Sequence, residues 1–181
     1  TQALKNLLAA EPRAVLYVSS LKNWPGDEMT KKAFADLAAR YDNIFFPTDE
    51  LELQGENNKS KFEKPLDTLE VIPGPKTEDG SNFGRDGVTR RVLVSYQDVK
   101  MLHTLLAEQY NPEVGNLDKI RGAFPFYGSR QTFIAYRPLD SFPAVNFENL
   151  VSGDFPPAMF RDRIVIIGDH TGLEKRDYVY S

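Results

Sequence analysis

The segment Ala14-Val15-Leu16-Tyr17-Val18 is apolar at every position and lacks the in-out alternation of a half-exposed strand. A strand covered on both faces of a parallel sheet carries that pattern, so helices are expected to flank it. Leu4, Leu7 and Leu8 line one face of a short helix before it, which Pro12 stops because its ring and missing N–H break the ladder. Downstream, Asp27 is placed to cap a helix running to about Tyr41, with Met29, Ala33, Phe34, Leu37 and Ala38 on its buried side. Asn43 to Phe46 is the next strand, and the acidic, amide-rich run from Asp49 to Lys64 suits a mobile solvated loop.

The alternation continues along the rest of the chain. A strand is predicted near Leu69 to Ile72, a turn at Asp86-Gly87 and a strand from Thr89 to Tyr96. Tyr96-Gln97-Asp98 is read as opening a helix that runs to about Tyr110, with Met101, Leu102, Leu105 and Leu106 as its apolar stripe. Asn111 to Gly128 reads as a looser linker. Strands at Thr132 to Tyr136 and Arg163 to Gly168 bracket a short helix at Phe147 to Val151. The expected fold is α/β: a single domain over residues 1–181, with a mainly parallel or mixed central sheet covered by helices.

Composition narrows the function classes. With 181 residues, 41% of them hydrophobic and 27% charged, the chain can bury a core of ordinary size. A net charge of -4 without a basic stripe speaks against nucleic acid as a partner. No apolar run approaches the ~20 residues that a bilayer crossing needs. The absence of cysteine removes thiolate metal sites, thiol nucleophiles and disulfides together. Asn58-Lys59-Ser60 fits a glycosylation acceptor, but such triplets arise often by chance and it is discounted.

Three segments near the C-terminus are the most specific: Asp140-Ser141-Phe142-Pro143-Ala144-Val145, Asn149-Leu150-Val151-Ser152-Gly153, and Phe160-Arg161-Asp162-Arg163-Ile164-Val165-Ile166-Ile167-Gly168, trailed by Thr171-Gly172-Leu173 and Asp177. They resemble the closing signature of the type-two CHASE family of extracellular sensory domains. Asp86-Gly87-Val88-Thr89-Arg90-Arg91 resembles that family's turn into a strand. The likeness covers the last half of the chain well and the first half only in its helix and strand rhythm, with a start that reads as truncated.

The resemblance implies a sensor on the periplasmic or extracellular face of a bacterial inner membrane. Its parent would be a membrane-anchored receptor with a cytoplasmic output domain such as a cyclase, kinase or phosphodiesterase. Its partners would be a small-molecule or envelope ligand and those other domains, with a homodimer possible, and the resemblance implies neither enzymatic activity nor a cofactor. The chain departs from relatives at Ser19-Ser20, where an aspartate is common, and at Asp169-His170, where small residues are common. The last apolar strand is expected to pack inside the helix-flanked sheet; an exposed edge there would count against the resemblance.

Ligands of open α/β sheets collect beyond the C-terminal ends of strands. Ser19, Ser20, Asn23 and Trp24 follow the first covered strand and Asp169, His170 and Thr171 follow the last, so a pocket between these loops is the expected ligand site. Trp24 equally suits a lid on the core. Arg90 and Arg91 should point to opposite faces of their strand. One guanidinium could then meet a carboxylate or phosphate ligand, or form a structural ion pair with Asp86 or Glu70. No nucleophile elbow, phosphate loop or metalloprotease helix occurs, and the sequence brings no third metal ligand near either His103 or His170. An enzyme centred on Arg90, Asp169 and His170, or a ligand-free dimerisation module, are the alternatives.

Overall fold

A computed structural model describes residues 1–18, 21, 24, 26–48, 62–74, 90–97, 99–138 and 141–168. It divides into two compact units. The first unit holds the N-terminal segment, residues 52–72 and Phe142–Gly168, and the second holds chiefly Pro73–Ser141.

The first unit is built on a sheet in the order β3-β2-β1-β8. Its strands are β1 (Ala14–Tyr17), β2 (Ile44–Thr48), β3 (Val71–Pro73) and β8 (Ile164–Ile167). β1 pairs in parallel with β2 and with β8, Val15 lying between Ile44 on one side and Val165 on the other. Helices α1 (Gln2–Ala9), α2 (Glu28–Ala38) and α4 (Phe147–Ser152) flank it. The register places Val15, Tyr17, Ile44, Val165 and Ile167 on one face, and all five pack with residues of these helices. Leu4 of α1 joins the cluster under α2, whereas Leu7 of the same helix joins the cluster with Leu150 of α4, so α1 spans both.

The cluster under α2 is aromatic. Phe34 meets Trp24, Tyr17 and Phe46 edge-on, with ring centroids 5.0, 5.5 and 6.2 Å away. Rings tilted in this way gain quadrupole attraction beyond their buried area. Asp27 caps α2 as its position foretold: its carboxylate accepts the Thr30 N–H at 2.6 Å, which holds the acid below the usual carboxylate range. The buried face of α2 is Phe34, Ala35 and Ala38, with Leu37 packed beside them, so Phe34, Leu37 and Ala38 fall as expected while Met29 is 78% exposed and Ala33 is also exposed.

β8 departs from expectation. Its residues were found where predicted, but it is an edge strand in the sheet order, and Ile166 is 65% exposed while Ile167 is buried. Four consecutive apolar residues therefore describe the central β1, with Ala14 and Val15 fully buried, but only one side of β8. Composition cannot separate a central strand from an edge strand, since burial of the second face depends on neighbours elsewhere in the chain.

The second unit carries a separate antiparallel sheet in the order β5-β4-β7-β6, which the sequence reading did not distinguish from the central one. Its strands are β4 (Arg91–Tyr96), β5 (Val99–Lys100), β6 (Phe124–Phe126) and β7 (Ser129–Phe133), with α3 (Leu102–Tyr110) following β5. Where the helix was expected to open, β4 runs to Tyr96 and Gln97 takes φ 44°, and α3 begins only at Leu102; Asp98 lies outside the described residues. The supposed linker from Asn111 to Gly128 contains two 3-10 turns and β6, and β7 begins three residues before the strand predicted at Thr132. Met101, Leu102, Thr104 and Leu106 are the buried residues at α3, and the Thr104 hydroxyl donates to the Val94 carbonyl at 2.8 Å.

Candidate functional site

The second unit buries polar side chains beside its apolar core. Arg91, Ser95, Thr104 and Ser129 are all buried there, and they are the buried polar residues among those described. Across β4 and β7 the register sets Arg91 opposite Phe133 and Leu93 opposite Gln131, so Arg91 and Gln131 share a face. The Arg91 Nη1 donates to Gln131 Oε1 at 2.9 Å, the Gln131 amide donates to Ser129 Oγ at 2.9 Å, and Ser129 Oγ donates to the Phe126 carbonyl. The guanidinium also lies over the Phe126 ring, 5.2 Å from its centroid. A buried guanidinium persists only where such partners replace its water.

This chain of bonds runs toward the end of the sheet, where β6 and β7 are joined by Tyr127 and Gly128 alone. Both have positive φ, 44° and 71°, the pattern of a type I′ hairpin turn. Glycine, asparagine or aspartate normally fills the first position, since any other side chain there meets the following carbonyl at a cost of about 1–2 kcal/mol. Tyr127 is nonetheless 89% exposed, its ring touching Phe126 edge-on at 4.7 Å. Strain held by an exposed aromatic buys no packing, and such outliers concentrate at sites of function. Gln97, also at positive φ, donates its backbone N–H to the Gly128 carbonyl at 3.0 Å and ties the two turns together.

An open cleft of about 620 Å³ lies at this end of the unit. Ser95, Ser129 and Gln97 supply its polar lining, Pro125, Phe126 and Tyr127 its flat apolar surfaces, and Arg130 its charge. The pairing between β4 and β7 shifts by a residue between Leu93 and Ser95, which brings Ser95 opposite Arg130, itself opposite Pro125 of β6. The Ser95 hydroxyl makes no hydrogen bond among the described residues. Arg130 uses Nη1 for Asp118 at 2.6 Å and the Leu117 carbonyl at 3.1 Å.

On the α3 side of β4, burial pushes His103 below the usual histidine range against the opposing effect of a backbone bond to Leu93, and its Nε2 has no partner. Its neutral form belongs to the interior and not to the cleft.

The expected pocket residues fall as follows. Ser19, Ser20, Asn23, Asp169, His170 and Thr171 lie outside the described residues. The strands that lead to them do end side by side, with the Val18 N–H donating to the Ile167 carbonyl at 2.7 Å. Trp24 is half-buried against Phe34 and packs as part of the first unit's core. Arg90 precedes β4, with its carbonyl accepting the Ile134 N–H at 2.8 Å, and it does not line the cleft. Alternation along the strand gave the two arginines opposite faces, and the structure shows Arg91 to be the buried one. Of the cleft residues, Pro125 to Gly128 read as linker, and Ser129 and Arg130 lay ahead of the strand expected at Thr132. The available signal was the two-residue spacing between aromatic runs, muted by a tyrosine where hairpins carry asparagine or aspartate.

The first unit is thus a parallel sheet flanked by helices, and the second an antiparallel sheet with an open cleft at one end. The chain matches the CHASE2 domain family over residues 1–180 and belongs to that family, whose members are extracellular sensory domains of membrane receptors. The match spans both compact units and includes the edge strand β8, so that exposed edge does not count against membership. No curated protein and no solved structure matches the chain. Among the described residues no helix is long and apolar enough to cross a membrane.

Proposed function

We propose that this domain is the ligand-receiving part of a bacterial transmembrane receptor, placed on the periplasmic side of the inner membrane and coupled to a cytoplasmic cyclase, kinase or phosphodiesterase. The observation that carries the reading is membership of a sensory family across the whole chain. The cleft beside Tyr127 supports it from another direction, as an open recess of mixed polar and apolar lining with Gln97 and Tyr127 at positive φ. A ligand transmits a signal only by favouring one of two arrangements of the domain over the other. The recess sits where two hairpin bends are bonded to one another through Gln97 and Gly128, so a bound molecule would bias both at once.

The test is an in-frame deletion of this segment in the full-length receptor. Output that no longer follows external stimuli is the expected result; output that keeps every response removes the sensory reading.

A further inference from the structure

We propose that the cleft at the β6–β7 hairpin binds small organic carboxylates that carry a flat apolar body. The inference deepens the sensory reading, on which it rests for its biological use, by giving it a ligand class.

Arg130 supplies the charge. It commits Nη1 to Asp118 and to the Leu117 carbonyl, while its Nε and Nη2 make no hydrogen bond among the described residues. A guanidinium fork with two adjacent donors matches a carboxylate better than it matches a neutral group. Asp118 is 79% exposed, so its pairing with Arg130 is weakened by solvent and yields readily to a competing carboxylate. Ser95 stands opposite Arg130 in the strand register, is buried, and has a hydroxyl with no hydrogen bond of its own. Guanidinium and hydroxyl therefore offer donors to one anion from adjacent strands.

The body of the ligand follows from the remaining walls. Pro125 is paired with Arg130 on the other side, and Tyr127 projects from the turn with 89% of its surface exposed. The aromatic face of Tyr127 favours a planar partner, and Pro125 adds apolar surface beside it. A ligand with a second charge would find no further cation among the residues lining the cleft.

The experiment titrates the 181-residue chain with benzoate, benzamide and acetate, reading backbone amide shifts of Gln97, Gly128 and Ser129 by NMR. Saturable shifts are expected with benzoate, and binding about tenfold weaker with benzamide, which keeps the ring and loses the charge, and with acetate, which keeps the charge and loses the ring. Arg130→Gln should abolish benzoate binding with the melting temperature kept. Asp118→Asn should tighten benzoate binding and leave benzamide unchanged, a result that a purely structural pair would not produce. Tyr127→Gly should weaken benzoate several-fold while raising the melting temperature.

Equal binding of benzoate and benzamide, shifts that avoid these amides, or retained affinity in Arg130→Gln would overturn the inference. If no carboxylate binds while deletion of the domain still silences the full-length receptor, the ligand class fails and the sensory reading stands.

Discussion

The two units of this chain differ in what they bury beside hydrocarbon. In the parallel unit the central strand is apolar at each position, and every fully buried side chain, Leu7 and Val15 among them, is hydrocarbon. In the antiparallel unit Arg91, Ser95, Thr104 and Ser129 are buried, and a line of side-chain hydrogen bonds links strand to strand. Apolar packing is non-directional and stabilises many arrangements nearly equally, whereas a satisfied polar network holds only where each donor meets its acceptor. The buried polar network of the second unit accordingly fixes its geometry more tightly than apolar packing alone would.

Phe34→Ala should have the largest effect. It removes a buried ring that contacts Trp24, Tyr17 and Phe46, and a loss of about 3–5 kcal/mol is expected from chemical denaturation. Gln131→Leu comes next. It strips one acceptor from the buried Arg91 and should cost about 1–3 kcal/mol. A larger loss from Gln131→Leu than from Phe34→Ala would reverse the contrast between the units.

The pH response sharpens the same contrast. His103 has a folded-state pKa below its unfolded value, so the unfolded chain takes up the proton first as pH falls. Its contribution to stability is complete above the unfolded pKa and is lost as pH drops below that value toward the folded one. Wild-type stability should therefore decline below about pH 6.5, and His103→Gln should remove that part of the decline in denaturation curves taken across the range. Asp27 carries the equivalent device in the parallel unit, shifted lower. Its depressed carboxyl pKa gives stability above the carboxylate range that disappears as pH falls through the folded value, so wild type and Asp27→Ala should converge in acid.

The smallest change expected is a gain. Tyr127→Gly relieves the positive φ and should raise stability by at most about 1 kcal/mol in thermal melts. A loss instead would mean that the Tyr127 ring packs on the fold and is not held out for a ligand.

Much of the parallel unit was legible from pattern alone. The cap at Asp27, the arrest of α1 before Pro12 and the strands at Ala14 and Ile164 each follow from local chemistry. The C-terminal segments also carried the family likeness, because that signature is written in consecutive residues. The antiparallel unit was less legible. β6 is only three residues with a proline at its centre and β7 is mostly polar, so Phe124 to Arg130 carried no periodicity strong enough to mark a hairpin.

Sequence by itself therefore determined the α/β class, the helical and central-strand segments of the first unit, and membership of a sensory family, since all of these rest on short-range periodicity and contiguous motifs. Tertiary structure alone decided that β8 lies on an edge, that Arg91 and not Arg90 is buried, and that Ser95, Tyr127 and Arg130 meet around one cleft. Those outcomes depend on which strands become neighbours. Strand pairing joins residues tens of positions apart, and no local pattern records the partner.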